Sequence, residues 1–192
     1  MEPSTTKSPS KIYLGIDPAS DGAAVALQDG AAVYAVIWKK IRRKSKRFYE
    51  VRELIVGQQK LRMYHAKRFA EIGNFIAQSE FLKDKNIYLS AEDAYFRPNA
   101  KTSIIISRLS GSIAAPIELQ FDVDADWVRA AEWRHKVIRL NPFTPRQQAK
   151  NASLKLMPNL VNGLYEVMNR LGRHDHITDA SGVAYWAYQN KK

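Results

Sequence analysis

The chain contains no cysteine and no long apolar segment. Without cysteine it can form neither a disulfide nor a cysteine-bound zinc site. None of its apolar runs approaches the roughly 20 residues that a membrane-spanning helix needs. Residues 1–10 are polar and lack the apolar core of a signal peptide. We therefore expect residues 1–10 to form a disordered tail, the protein to be cytoplasmic rather than secreted, and no membrane to be among its partners.

Basic residues are present in large excess. The 192 residues include 30 Lys and Arg against 19 Asp and Glu, which gives a formal net charge of +11 at pH 7. Hydrophobic residues make up 45% of the chain, so we expect a single folded domain over residues 11–192. A fold does not need such an excess of one charge. The excess therefore indicates an acidic partner, above all the phosphate backbone of nucleic acid.

The first part of the chain has the pattern of strands. Lys11 to Asp17 is an apolar run typical of a buried strand, and the runs Ala23 to Leu27 and Ala31 to Trp38 follow it. Asp29-Gly30 between the last two runs is a strong hairpin signal. The sequence therefore predicts three antiparallel strands at the start of the domain.

The rest of the chain alternates between helical and strand-like patterns. Helical spacing runs from Leu61 to about Gln78, and a buried strand is predicted over Asn86 to Ala91. The later predictions are a helix over Ala100 to Ala115, a strand over Ile117 to Val123, and helices over Ala125 to His135, Thr144 to Met157 (ended by Pro158), Leu160 to Leu171 and Ile177 to Tyr188. Together these elements predict an α/β fold, with a five-stranded mixed sheet and helices on both faces.

Acidic residues follow two of the predicted buried strands. Asp17 ends Leu14-Gly15-Ile16-Asp17-Pro18, and Glu92 lies in Ser90-Ala91-Glu92-Asp93. Side-chain alternation sends Glu92 and Asp93 to opposite faces, and we favour Glu92 for the site. Carboxylate oxygens are the preferred ligands of Mg²⁺ and Mn²⁺.

The final helix carries further candidate ligands beside a stripe of small residues. Ala180, Val183, Ala184 and Ala187 recur at helical spacing, which lets this helix lie close to a sheet. His176 and Asp179 are three residues apart at the helix start, directed towards whichever strand the stripe covers. Asp175 and Asp179 also share a helical face, so Asp175 stays an alternative to His176. Two divalent ions ~3.5–4 Å apart would neutralise such a cluster and promote phosphoryl transfer.

Three motifs in this order resemble those of the RuvC-type Holliday junction resolvases, in the divergent form seen in phages. Gly15-Ile16-Asp17-Pro18-Ala19-Ser20 is similar to the first motif of that family. The second is matched by Ala91-Glu92-Asp93-Ala94-Tyr95-Phe96, followed by Pro98-Asn99-Ala100 and Arg108-Leu109-Ser110-Gly111, and the last by His176-Ile177-Thr178-Asp179-Ala180.

The resemblance implies a ribonuclease H-like fold in the cytosol of a bacterium or of a phage-infected cell. Its metal ligands would be Asp17, Glu92, His176 and Asp179, holding two Mg²⁺ or Mn²⁺ ions. Tyr95 or Phe96 would stack on an unpaired base, and the helix from Ala100 to Ala115 would form a homodimer interface.

A basic run follows the third predicted strand. The interval Lys39 to Arg52 carries one acid, Glu50, against a row of cations. With the net charge of +11, we expect contact with the DNA backbone. The predicted DNA-binding residues are Lys39, Lys40, Arg42, Arg43, Lys44, Lys46, Arg47, Tyr95, Phe96, Arg97 and Lys101. Trp127 and Trp133 are interpreted as core residues.

These observations favour a metal-dependent endonuclease that cuts four-way DNA junctions symmetrically as a homodimer. A nuclease for flaps, forks or other branched DNA would use the same fold and metals. A non-catalytic basic DNA-binding module is the alternative from a different class, and it would need no Mg²⁺.

Overall fold

Seven strands and six helices make up the computed structural model, which describes residues 10–43, 46–93, 100–172 and 174–191. The strands are β1 (Lys11–Asp17), β2 (Gly22–Gln28), β3 (Ala31–Arg43), β4 (Lys46–Ile55), β5 (Arg62–Ala66), β6 (Asn86–Glu92) and β7 (Asp126–Val128). The helices are α1 (Phe69–Ala77), α2 (Ala100–Phe121), α3 (Ala130–Ile138), α4 (Arg146–Leu160), α5 (Leu164–Leu171) and α6 (His174–Asn190). None of the helices in these ranges is long and apolar enough to cross a membrane.

All seven strands belong to one mixed sheet in the order β5-β4-β3-β2-β1-β6-β7. The strands from β1 to β5 pair antiparallel in chain order, whereas β6 joins β1 in parallel and β7 joins β6 in parallel. Asp29 and Gly30 both have positive φ, 52° and 79°, as a tight hairpin turn between β2 and β3 requires. The predicted α/β class and the three antiparallel opening strands are therefore confirmed.

The expected count of five strands is wrong, because β4 and β5 extend the sheet beyond β3. Helical spacing from Leu61 onward predicts a helix there, but Arg62–Ala66 forms β5, and the helix begins only at Phe69. Four of the five residues of β5 are exposed. A strand is recognised in a sequence by the alternation of buried and exposed side chains, and β5 has almost no such alternation. Backbone pairing with β4 decides the conformation instead.

Two predictions in the second half of the chain are also wrong. Ile117 to Val123 is not a strand, because α2 continues through Pro116 to Phe121. Ile113 and Ile117 lie one helical turn apart and are both fully buried, so packing holds the helix together despite the hydrogen bond that Pro116 cannot donate. The segment predicted as helix from Ala125 instead begins with β7, and α3 starts at Ala130.

The proline predicted to end the next helix does not do so. Pro158 lies inside α4, which ends two residues later at Leu160. Pro158 and Met157 are both buried in the last helical turn.

The sheet has a hydrophobic core on each face, as its alternating side chains require. One core includes Ile12, Leu14 and Ile16 of β1, together with residues of α1 and α2; we call this side the α1 face. The other core includes Tyr13 of β1 and residues of α3, α4, α5 and α6; we call it the α6 face. Helices therefore cover both faces, as predicted.

Gly15 of β1 lies where α6 crosses the sheet. A Cβ added at Gly15 would lie 2.2 Å from the carbonyl oxygen of Ala180 and 2.4 Å from the backbone nitrogen of Ala184. Glycine is therefore needed here for close approach rather than for a special backbone angle. The small-residue stripe predicted for the last helix is the surface that contacts β1, which brings the start of α6 close to the end of β1.

Candidate active site

Asp17 and Glu92 lie at the adjoining ends of two parallel strands. The register pairs Ile16 of β1 with Ala91 of β6, so the next residue of each strand is acidic. Asp17 and Glu92 alternate with buried residues of the α1 face, so both carboxylates are on the α6 face. Asp93, expected on the opposite face of the sheet, instead follows the end of β6 and lines the same cavity as Glu92, described below; its backbone N–H donates to the carbonyl of Val128.

The first turns of α6 bring His176 and Asp179 to these two carboxylates. A hydrogen bond of 2.6 Å joins His176 Nδ1 and Asp17 Oδ2. Asp179 is 6% exposed, one turn further along the helix. The structure thus brings together all four residues that the sequence predicts as metal ligands.

Asp175 pairs with Lys150. Its Oδ2 is 3.1 Å from the amine of Lys150 and 3.9 Å from His176 Nε2, and its side chain is 40% exposed. Burial acts to raise the pKa of Asp175, but His176 and Lys150 outweigh it and hold this pKa below its ordinary value. Asp175 lines a separate shallow cleft, which favours His176 over Asp175 as the member of the site.

Helix α3 contributes two residues that the sequence did not predict as part of the site. Of the two tryptophans predicted as core residues, Trp133 is fully buried, whereas Trp127 on β7 is 43% exposed and the prediction for it is wrong. The indole Nε1 of Trp133 also donates to Glu92 Oε2 at 3.1 Å. Arg134 Nη2 donates to Asp179 Oδ1 at 2.8 Å, and the Arg134 side chain is 11% exposed. A buried indole N–H needs an acceptor, so the sequence contained a weak indication that Trp133 has a polar partner. Nothing in the spacing of Arg134 distinguished it from the other cations of the chain.

The carboxylates share too little positive charge for all of them to ionise easily. Burial, followed by the neighbouring charges of Asp179 and Asp17, raises the pKa of Glu92 from 4.5 to about 8. Burial also raises the pKa of Asp179, and Asp17 adds to this effect although Arg134 opposes it. Arg134 is therefore an incomplete counter-charge for the cluster.

A cavity of about 720 Å³ opens over these side chains. Pro18, Ala19 and Ser20, which follow β1, line one part of it. The segment joining α3 to α4 lines another part, through Leu140, Asn141, Pro142 and Thr144. Arg134, Arg146 and Lys150 also line the cavity, so cations and carboxylates line one open cavity of a size that small ligands occupy.

The donor set suits a hard divalent cation. Three carboxylates and one imidazole offer oxygen and nitrogen ligands of the kind that Mg²⁺ and Mn²⁺ accept. Across the described ranges, however, no three His, Asp or Glu side chains are already placed to hold one ion together. Asp17 and Asp179 each engage a protein side chain instead, namely His176 and Arg134. The residues therefore fit the metal in chemistry, but they do not form a ready coordination sphere.

The predicted DNA-binding residues are spread over several elements. Lys39 and Arg42 are exposed and Lys40 is half-buried on β3, and Arg43 ends that strand. Lys46 and Arg47 begin β4, and Lys101 lies in the first turn of α2. Lys44, Tyr95, Phe96 and Arg97 lie outside the described residues, as do residues 1–9 of the expected tail.

The basic run lies on the paired ends of β3 and β4, residues 39–43 and 46–52, which we call the hairpin extension. β4 pairs with β3 along the whole length of β4, from Ile55 with Tyr34 to Lys46 with Arg43. The backbone N–H of Lys40 donates to Asp21 Oδ1, and the indole of Trp38 donates to the carbonyl of Ala19. Since Ala19 lines the cavity, the hairpin extension starts at the cavity wall.

No family model matches the sequence, and no curated protein matches it. The functional inference for this chain therefore depends on its motifs and on the geometry of this site.

Proposed function

We propose that this protein is a metal-dependent DNA endonuclease that resolves four-way junctions. The observation that carries the proposal is the convergence of Asp17, Glu92, His176 and Asp179 from β1, β6 and α6 into one cavity. These residues are up to 162 positions apart in the chain, and they comprise two buried acids, a third acid of raised pKa and a histidine. Structural stability alone does not require carboxylates to be gathered in this way, because their mutual repulsion costs free energy.

The strand order supports a ribonuclease H-like identity. Within the seven-stranded sheet, β3-β2-β1-β6-β7 comprises three antiparallel strands followed by two parallel ones, and β4 and β5 are additions at one edge. The acids lie at the carboxyl ends of β1 and β6, where open α/β sheets usually bind ligands. This arrangement agrees with the motif resemblance to RuvC-type resolvases.

Asp17, Glu92, Asp179 and His176 would hold the metal. The chemistry that a divalent metal would supply here is activation of a water molecule and stabilisation of the leaving oxygen of the phosphodiester. Metal binding would require Glu92 to lose the proton that its raised pKa retains. The carboxylate cluster would therefore attract a cation, because Arg134 compensates only part of its negative charge.

Arg134 and Lys150 bind and orient the phosphodiester. Both line the cavity, and Arg134 Nε is buried without a hydrogen-bond partner among the described residues. A guanidinium offers five donors in a fixed plane, so Arg134 can keep one contact with Asp179 and still donate to a phosphate oxygen. The net charge of +11 gives the long-range attraction that brings DNA to this face.

Junction resolution needs two cuts, so the proposal includes a homodimer formed through α2. Ile104 and Leu119 of this helix are 52% and 85% exposed, and a Cβ at Gly111 would meet nothing within 4 Å. A second copy of this surface could therefore approach closely in a two-fold arrangement. We place this activity in the cytosol of a bacterium or a phage-infected cell.

Synthetic DNA substrates test the proposal. Four-way, three-way, flap and linear DNA are incubated with the protein in Mg²⁺ and in EDTA. We expect paired symmetric cuts in the four-way junction, with 5′-phosphate and 3′-hydroxyl ends, and no product in EDTA. Cleavage restricted to flaps would indicate the alternative nuclease, and tight binding without cleavage in any metal would indicate a non-catalytic binding module.

A further inference from the structure

Phe143 is the most exposed large hydrophobic residue in the described ranges. Its side chain is 92% exposed, compared with 57% for Tyr165, an exposed aromatic residue on α5. Exposed single apolar residues are common, so exposure alone says nothing about binding. The position of Phe143 in a fixed turn beside the candidate active site is what distinguishes it.

The turn that carries Phe143 is held by its neighbours. The backbone N–H of Phe143 donates to Asn141 Oδ1, and that of Thr144 donates to the carbonyl of Asn141, both at 2.9 Å. Pro142 and Pro145 flank these residues and restrict the backbone further. The ring is therefore presented by a pre-organised turn, which lowers the entropy that binding must overcome.

The residues on either side of Phe143 belong to the cavity wall. Asn141, Pro142 and Thr144 line the cavity that holds the four candidate catalytic residues, whereas Phe143 itself does not line it. Phe143 therefore follows and precedes residues of the cavity wall, and its exposed ring lies outside the cavity. Arg146, three residues later at the start of α4, lines the same cavity.

We infer that Phe143 stacks on a nucleobase next to the phosphodiester held in the cavity. This inference rests on the proposed function. An aromatic ring beside cations is the usual device by which proteins hold unpaired bases, because every base has a face that can stack. Bases inside a duplex are already stacked, so the base must be unpaired or unstacked, as bases at a branch point can be. Phe143 would act in addition to Tyr95 or Phe96.

Equilibrium binding in EDTA tests the inference without cleavage. A four-way junction and a gapped duplex carry 2-aminopurine next to the branch or gap, since its fluorescence reports changes in stacking. We expect Phe143→Ala to weaken binding to both by about 5-fold to 100-fold and to abolish the fluorescence change, given the range typical of base–aromatic stacking. Phe143→Trp should retain both signals, and Phe143→Leu should retain neither. Tyr165→Ala is the matched control and should behave as wild type.

The outcomes separate this inference from the proposed nuclease activity. If wild type cleaves junctions but Phe143→Ala changes neither affinity nor fluorescence, the stacking role is overturned and the nuclease stands. If Phe143→Leu is as effective as wild type, the contact is apolar rather than stacking, which also overturns it. If wild type cuts nothing yet shows the Phe143-dependent signal, the base site stands and the nuclease falls. Absence of any DNA binding by wild type overturns both.

Discussion

His176 on α6 and Asp17 on β1 form a hydrogen bond of 2.6 Å between residues 159 positions apart in the chain. It is the direct side-chain link between the last helix and the first strand at the candidate active site. Of the two candidate metal ligands at the start of α6, His176 is bonded to Asp17, whereas Asp175 pairs with Lys150. Because His176 and Asp175 have different partners, substitutions can test their roles separately.

We expect His176→Ala to cost far more activity than Asp175→Ala. Loss of His176 removes the hydrogen bond to Asp17, whereas loss of Asp175 removes an ion pair of a side chain that is 40% exposed, and such pairs contribute little. Single-turnover cleavage of a four-way junction measures both variants. The opposite ranking would move the site to Asp175 and Asp179.

Asp17→Asn should abolish cleavage while junction binding survives or tightens. The neutral amide weakens a metal ligand, and it also removes one negative charge that repels phosphate. Gel-shift binding and cleavage assays follow the two properties separately. Asp29→Asn, the same chemical change in the exposed β2–β3 turn where φ is 52°, is the matched control and should cleave normally. Cleavage by Asp17→Asn near the wild-type rate would remove Asp17 from the site.

Metal-free protein should lose stability as the pH rises from about 4.5 to about 8. In this window Glu92 is protonated in the folded state, where its pKa is about 8, and ionised in the unfolded state, where its ordinary pKa is 4.5. The native state then binds more protons than the unfolded state, so the free energy of unfolding falls with rising pH, in total on the order of a few kcal/mol. The raised pKa of Asp179 acts in the same direction.

Urea denaturation in EDTA at several pH values measures this slope. Glu92→Gln should flatten it, because the amide has no proton to lose and can still accept the hydrogen bond from Trp133. Glu80→Gln, at an exposed position, should leave the slope unchanged. Mg²⁺ should stabilise wild type most strongly at the alkaline end, where Glu92 can ionise. An identical slope in wild type and Glu92→Gln would show that Glu92 is not the buried acid responsible.

Gly15→Ala should destabilise the protein by about 3 kcal/mol or more, because its Cβ would collide with backbone atoms of α6 that cannot move aside cheaply. Urea midpoints of Gly15→Ala and wild type measure the change. Equal stability of Gly15→Ala and wild type would contradict the close crossing of α6 over β1.

The hairpin extension should contribute to DNA affinity without setting shape preference. Neutralising Lys39, Lys40 and Arg42 to Gln should weaken binding to every DNA shape. It should also reduce the salt slope of log affinity by roughly 0.9 for each duplex phosphate that the variant no longer neutralises. Phosphate contacts position the protein but carry no sequence information. Binding titrations at several salt concentrations measure this slope.

A second triple variant controls for net charge. Gln at Lys60, Lys83 and Lys155 removes three exposed charges elsewhere on the protein. It should lower affinity slightly and leave the slope nearly unchanged. Equal slopes for the two triple variants would mean that the hairpin extension does not contact DNA.

Local patterns were sufficient for several parts of this fold. Asp29-Gly30 predicted its hairpin because a tight turn needs positive φ at both positions. The alanine stripe of α6 predicted a close helix–sheet contact because only small residues allow one. β5 could not be predicted in this way, because most of its residues are exposed and only pairing with β4 makes it a strand. The length of α2 was missed for a related reason: burial of Ile113 and Ile117 outweighs the helix-breaking tendency of Pro116.

Local pattern was also enough to select the candidate acids, since Asp17 and Glu92 end apolar strands and Asp179 borders the stripe of α6. The partners of these acids depend on how the elements pack: His176 for Asp17, Trp133 for Glu92 and Arg134 for Asp179. The periodicity of a sequence indicates which face of a helix or strand is buried. An ion pair between two elements depends on which elements pack together, and periodicity does not indicate that. Arg134 lies 45 positions from Asp179, and the packing of α3 against α6 alone makes it the counter-charge of the site.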